Sequence, residues 1–143
     1  ECHQAAARRL GSLSDGVVLA GKSLGGRVGP HLAASGEACR GVVCYGYPLV
    51  APGKTQPRDT AHLSTIAAPL LFLSGSRDPL APLDLLRPVV AALPRARLVV
   101  VDGADHSFGV GAVPDERAAA TLDRLAAATV EWLAGPAHSG DGR

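Results

Sequence analysis

A serine lies in a short glycine-framed segment that could carry nucleophilic chemistry. Ser23 stands in the run Gly21-Lys22-Ser23-Leu24-Gly25, directly after the apolar residues 17–20. A G-x-S-x-G segment between a strand and a helix is the pattern of a nucleophile elbow, a sharp turn that lifts a serine hydroxyl clear of the backbone. Glycine is expected at both flanking positions, Gly21 and Gly25, because strand and helix pass close together there and a Cβ would collide.

The same letters permit a second chemistry. Residues 16–23 read G-x-x-x-x-G-K-S, the phosphate-binding pattern of a P-loop. The apolar residues 98–101 before Asp102 are consistent with this, since such enzymes use a strand that ends in a magnesium-binding acid. In a P-loop, however, the four x positions form the loop, whereas here they read Val-Val-Leu-Ala and favour a strand. Nucleotide binding through residues 16–23 therefore stays open as the weaker hypothesis.

A nucleophilic serine needs a base to take its proton and an acid to orient that base. The chain supplies them in the order Ser, Asp, His that accompanies the elbow. Asp78 follows the apolar residues 70–74 by four positions, and His106 follows residues 98–102 by four. Because the carboxyl ends of parallel strands share one edge of a sheet, we expect Ser23, Asp78 and His106 to meet there.

Each of these residues also has a simpler interpretation. Ser23 could cap the following helix, His106 could be a polar loop histidine, and Asp78 before Pro79 could be a turn residue. Two further acids, Asp102 and Asp105, compete for the histidine. Asp105 adjoins His106 in the chain, which makes orienting that ring awkward.

The elements that would position these residues alternate between strand and helix. Near-continuous apolar runs predict four strands buried on both faces of a parallel sheet, at 17–20, 41–45, 70–74 and 98–102. Helical spacing predicts helices at 24–34, 82–93 and 115–133, the last with an apolar stripe of Leu122, Leu125, Ala126, Val130 and Leu133. The long connection 46–68, with one helical turn near 62–66, is expected to border the site. This order predicts a three-layer α/β/α fold with a mostly parallel sheet.

The composition and charge of the chain limit the kinds of molecule that it is expected to bind. The chain has 143 residues and a net charge of +1 without a basic block, which argues against nucleic acid, and it lacks an apolar run long enough to span a membrane. Its three cysteines form no C-x-x-C pair and are expected to be free thiols in a reducing cytoplasm. The four remaining histidines have no partners at metal-ligand spacing: His3, His31, His62 and His138. We therefore expect neither a metal nor an organic cofactor.

Residues 21–27, 41–49, 71–79 and 103–108 together resemble the α/β-hydrolase superfamily, and within it the dienelactone-hydrolase-like group. The resemblance extends over residues 14–134 and corresponds to the second half of that fold, with its N-terminal strands missing. It implies a partial hydrolase domain over 1–134 and a flexible tail over 135–143. We therefore expect the 143 residues to be a piece of a longer reading frame.

The resemblance also implies an oxyanion hole. In this superfamily one donor is the backbone N–H of the residue after the nucleophile, here Leu24, and a second comes from an earlier loop. Since losing one donor costs about a hundred- to a thousandfold in rate, the fragment alone is expected to be severely impaired.

The sequence thus predicts a serine hydrolase that cleaves a small-molecule ester, thioester or lactone through an acyl-enzyme on Ser23. A non-catalytic interaction protein that keeps the fold is the alternative from another class. Lys22, together with Arg27, could favour an anionic substrate or could simply be solvated. Tyr47 and Phe108, with Tyr45, could line the substrate rim or could be ordinary packing.

Overall fold

The computed structural model describes residues 2–109 and 115–135. Strands and helices alternate along the chain after a first helix. In chain order the elements are α1 (Cys2–Gly11), β1 (Val18–Lys22), α2 (Leu24–Ala34), β2 (Gly41–Tyr45), a 3-10 helix (Ala61–Thr65), β3 (Leu70–Gly75), α3 (Leu83–Ala91), β4 (Ala96–Val101) and α4 (Asp115–Leu133).

The four strands form one parallel sheet in the order β1-β2-β3-β4. Its register pairs Lys22 with Tyr45, and Tyr45 with Leu73. Farther along, Gly75 pairs with Val101. The carboxyl ends of the strands are therefore nearly level, and the loops that follow them leave from one edge.

Consecutive strand residues point to opposite sides of the sheet, so both of its faces carry apolar side chains. Helices cover both faces. On one face Val42, Cys44, Leu70 and Phe72 pack with residues of α3 and with Leu63 of the 3-10 helix. On the other face the core contains these residues of the strands, of the loop after β4 and of α4: Val43, Leu71, Leu73, Val101, Ala104, Phe108, Leu125 and Trp132. The predicted three-layer α/β/α architecture with a parallel sheet is confirmed.

Two features differ from the sequence prediction. The helix α1 was not predicted; only Ala7 of it is buried, so it lacks a strong apolar stripe. Of the predicted stripe of α4 only Leu125 is buried: Leu122 and Val130 are 64% and 65% exposed, and the other buried residues of this helix include Thr121 and Trp132. The predicted tail lies outside the described residues except for Gly135.

Candidate active site

Ser23, His106 and Asp78 form a continuous hydrogen-bonded chain at the carboxyl edge of the sheet. His106 Nε2 lies 2.9 Å from Ser23 Oγ, and His106 Nδ1 lies 2.8 Å from Asp78 Oδ2. The three residues are far apart in sequence and follow three different strands, β1, β3 and β4. The structure therefore brings together the three residues that the sequence order singled out.

The partners of the ring decide where its proton lies. A carboxylate only accepts hydrogen bonds, so the proton lies on Nδ1 and the Nδ1–H group donates a hydrogen bond to Asp78. Nε2 is then free to accept a hydrogen bond from the Ser23 hydroxyl. The side chain of Asp78 is 0% exposed and that of His106 is 19% exposed. The carboxylate of Asp78 is thus shielded from water, while part of the His106 ring remains exposed.

The turn at Ser23 has the geometry of a nucleophile elbow. Ser23 adopts φ 53° and ψ −115°, a conformation that few non-glycine residues adopt. Its N–H donates to Tyr45 O at 2.9 Å, which ties the turn to the end of β2. Its side chain makes no capping hydrogen bond to α2, so the helix-cap interpretation does not describe it.

Only one of the two elbow glycines is required by close packing within the described structure. A Cβ at Gly21 would overlap the backbone of Gly25, whereas a Cβ at Gly25 would meet nothing within 4 Å. The strand and helix do pass close together, as expected, but the space is needed on the Gly21 side. The expectation of a collision at Gly25 is wrong.

Leu24, the residue predicted to supply an oxyanion donor, is the first residue of α2. The N–H groups of the first helical turn have no intrahelical acceptor, so the Leu24 N–H is available to a ligand. Its side chain is 69% exposed and does not shield this end of the helix.

The loops that carry Asp78 and His106 are joined by hydrogen bonds that the sequence did not reveal. Ser76 Oγ accepts from the Gly103 N–H at 2.7 Å and donates to Asp102 Oδ1 at 3.0 Å. Arg77 donates to Gly103 O through Nε at 2.7 Å and to Ala104 O through its N–H at 2.9 Å. These contacts hold the acid and the base in one unit. No motif marks Ser76 or Arg77, and only their position between β3 and Asp78 could have suggested them.

Asp78 itself has two roles in hydrogen bonding. Its Oδ1 accepts from the Leu80 N–H at 2.8 Å, the turn contact expected of an Asp in this place, while its Oδ2 meets the histidine. The two competing acids have other partners. Asp102 accepts a hydrogen bond from the Ser76 hydroxyl, and Asp105 Oδ1 accepts hydrogen bonds from the N–H groups of Ser107 and Gly109.

The three predicted rim residues separate into two groups. Lys22 and Phe108 line a cavity of about 350 Å³ together with Tyr45, Ser107, Leu122, Leu125 and Ala126. Tyr47 does not lie at a rim, because it is 1% exposed and packs edge-on against Phe72 in the core. Burial raises the pKa of Tyr47 to about 12.

Arg27 contacts the connection that follows β2. Its Nη1 donates to Tyr47 Oη at 3.0 Å, and its guanidinium carbon lies 5.1 Å from the centre of the tyrosine ring. Longer contacts of 3.5 Å join it to Pro48 O and Asp59 O. This arginine therefore fastens the connection after β2 to α2.

Other chemistries find less support in the described part of the chain. Residues 18–20, three of the four P-loop x positions, belong to β1 and form no phosphate-binding loop. Among residues 2–109 and 115–135 no three metal-ligating side chains cluster. Burial strongly raises the pKa of the Cys44 thiol, which disfavours the nucleophilic thiolate. Within the same ranges no helix has the length and apolarity to cross a bilayer.

Several solved structures share the fold of this chain. An alpha-beta serine hydrolase homologue from Coxiella burnetii shares 22% identity over 92% of this chain, with a TM-score of 0.68. An esterase domain from a Rhodothermus marinus protein shares 20% identity over 92% of this chain, with a TM-score of 0.63. A candidate dienelactone hydrolase from Klebsiella pneumoniae shares 26% identity over 77% of this chain, with a TM-score of 0.56.

The chain spans 56% of the Coxiella protein, 68% of the Rhodothermus domain and 50% of the Klebsiella protein. At the level of the family, residues 1–134 match the alpha/beta hydrolase domain. With its parallel sheet and flanking helices, the chain belongs to the alpha/beta hydrolase family.

Proposed function

We propose that this chain carries the catalytic triad of a serine hydrolase that cleaves a small ester, thioester or lactone through an acyl-enzyme on Ser23. The proposal rests on the hydrogen-bonded chain of these three residues, called the relay below. Ser23 Oγ lies 2.9 Å from His106 Nε2, and His106 Nδ1 lies 2.8 Å from Asp78 Oδ2. Both distances lie within the reach that proton transfer between a nucleophile and its base requires.

The first half of the reaction forms the acyl-enzyme. Ser23 Oγ attacks the substrate carbonyl carbon while its proton moves to His106 Nε2, and the carbonyl oxygen becomes an oxyanion. The Leu24 N–H donates to that oxyanion. The intermediate then collapses, the bond to the leaving group breaks, and His106 returns the proton to the departing oxygen or sulfur.

The second half releases the product. Water attacks the acyl carbonyl, His106 Nε2 accepts the proton of the water, and Ser23 leaves with that proton as the free hydroxyl. Asp78 stays ionised throughout, because its role is to hold the Nδ1–H tautomer and to stabilise the imidazolium. Its 0% exposed side chain supports this role, since water does not compete for the hydrogen bond.

The surroundings of the relay support a small substrate. A cavity of about 350 Å³ is lined by Lys22 and Ser107, the chain neighbours of Ser23 and His106, although neither Ser23 nor His106 belongs to its lining. A cavity of this size, lined mostly by apolar groups, suits an apolar acyl or leaving group. Lys22 would add a preference for a substrate that also carries a negative charge.

Covalent labelling tests the proposal, because it reports a single attack by the serine. A fluorophosphonate probe is expected to modify Ser23 in the wild-type chain, at the low rate that follows from the expected impairment of this fragment, as read by peptide mass spectrometry after long incubation. The variants Ser23→Ala and His106→Ala should lose the label. Ser35→Ala is the control: Ser35 is exposed at the end of α2, and its hydroxyl donates only to Leu32 O. Unlabelled Ser23 in folded wild-type protein would reject the proposal and favour a non-catalytic interaction protein.

A further inference from the structure

The segment that carries His106 is a compact closed loop. The Asp105 N–H donates to Gly109 O at 3.0 Å, and the Phe108 N–H donates to Asp105 O at 3.0 Å. Asp105 Oδ1 also accepts the N–H groups of Ser107 and Gly109, at 2.8 and 2.9 Å. Four hydrogen bonds therefore connect Asp105 to the three residues that follow His106.

This loop holds a conformation that it would not adopt unaided. Phe108 has φ 63°, a left-handed conformation that is unfavourable for a bulky side chain. The same residue is 6% exposed and packs in the core beneath α4. The buried ring fixes one end of the loop, and the carboxylate of Asp105 holds the strained backbone around it.

From these contacts we infer that Asp105 is a positioning residue for the proposed hydrolysis: its carboxylate fixes the loop that places His106 between Ser23 and Asp78. It acts on two backbone N–H groups and not on the ring, whose acid partner is Asp78. The inference rests on the proposed function for its catalytic consequence. Its geometric consequence, the position of the His106 ring, is independent of any reaction.

The position of the oxygen atom, and not the charge, is what the loop requires. Asp105→Asn keeps an oxygen at Oδ1 that accepts both N–H groups but removes the charge. Asp105→Glu keeps the charge but moves the oxygens by one methylene, and Asp105→Ala removes the acceptor. The inference therefore predicts that Asn substitutes for Asp and that Glu and Ala do not.

Two measurements on these three variants test the inference. The first is the rate of fluorophosphonate labelling at Ser23, with kcat and KM for a short p-nitrophenyl ester. Asp105→Ala and Asp105→Glu are expected to lower the labelling rate and kcat by about 10- to 100-fold with little change in KM, because a displaced base slows the step that moves the proton. Asp105→Asn should remain within about threefold of wild type. Asp123→Ala, which removes an exposed acid from α4, is the control and should change neither quantity.

The second measurement is the proton resonance of the His106 Nδ1–H, which is shifted downfield by the hydrogen bond to Asp78. It should persist in wild type, Asp105→Asn and Asp123→Ala, and should broaden or disappear in the Ala and Glu variants.

Wild-type labelling with full activity in Asp105→Ala and Asp105→Glu would overturn the inference while leaving the proposed function intact. Activity kept by Glu and lost by Asn would also overturn it, since charge would then be what matters. If Asp105→Ala does not fold, the contrast between Asn and Glu still decides. If wild type is not labelled, the proposed function fails, and the Nδ1–H resonances of the variants still show whether Asp105 positions His106.

Discussion

Gly46 lies directly against the ring of His106. A Cβ at Gly46 would lie 3.4 Å from Cε1, Nδ1 and the backbone O of His106. Gly46 follows β2, adopts φ +62°, and donates its N–H to Leu73 O at 2.8 Å. The end of the second strand thus forms a wall of the site although it contributes no reacting group.

Gly46→Ala is expected to reduce labelling of Ser23 by up to about tenfold, because the added methyl group would lie at the short limit of ordinary contact with the ring and leaves it little room to move. The variant also pays about 1–2 kcal/mol for the left-handed backbone. Gly53→Ala is the matched control, since Gly53 has φ +69° and its Cβ would meet nothing within 4 Å. Equal labelling rates in the two variants, measured at equal fractions of folded protein, would contradict the prediction.

The two elbow glycines are expected to differ in their effect on stability. Gly21→Ala should lower the free energy of unfolding by about 3 kcal/mol, because its methyl group would overlap the Gly25 backbone and force the strand and the helix apart. Gly25→Ala should change it by less than about 1 kcal/mol, since the new methyl group has open space and alanine favours the helix. Urea denaturation of both variants measures the difference. A Gly25→Ala variant as unstable as Gly21→Ala would show that the described packing at the elbow is wrong.

The elements of the fold that the sequence predicted are those with one dominant signal. Buried parallel strands need apolar residues on both faces, and the runs at β2 and β3 have no competing pattern. Helix α4 is rich in alanine, so its sequence is compatible with more than one buried face. Its buried face is set by the packing of Trp132 with residues of the strands, which the sequence does not reveal. Among the residues of helix α1 only Ala7 is buried, so its sequence has no apolar stripe from which a helix could have been predicted.

The same distinction applies to the site. The types and order of Ser23, Asp78 and His106 carry chemical information, and strand ends bring such residues to one edge. The sequence left Tyr47 open between the rim and the core, because its type suits either place and its contact with Arg27 spans 20 residues. Ser76 and Asp105 act through backbone partners, which their residue types do not specify.

A stacked histidine pair makes the stability of the fold depend on pH. His62 and His31 have ring centroids 3.8 Å apart, and His62 Nε2 is buried without a hydrogen-bond partner among the described residues. Burial, followed by the neighbouring His31 and Arg27, lowers the pKa of His62 below its ordinary 6.5, although Asp59 opposes this. Between the lowered pKa and 6.5 the unfolded chain binds more protons than the folded one, so stability falls as pH falls through that range.

His62→Phe keeps a ring for the stack and removes the titrating group. The melting temperature of this variant should therefore fall less than that of wild type between pH 7.5 and pH 5, which scanning calorimetry measures in matched buffers. His3→Phe, at an exposed position on α1, should leave the pH dependence as in wild type. An unchanged slope in His62→Phe would show that His62 does not account for the acid sensitivity.

The hydrogen bond between Arg27 and Tyr47 is expected to stabilise the connection after β2. The pair is suited to a double-mutant cycle, because Arg27→Met keeps the aliphatic stem and Tyr47→Phe keeps the ring. A charge-assisted hydrogen bond of 3.0 Å to a buried hydroxyl should give a coupling energy of about 1–2 kcal/mol in urea denaturation. Arg87→Met, at an exposed position of α3, repeats the loss of charge and should show no coupling with Tyr47→Phe. Additive effects of the Arg27 and Tyr47 substitutions would mean that Arg27 is held by Pro48 and Asp59 alone, and the tyrosine hydroxyl would then have no share in fastening the connection to α2.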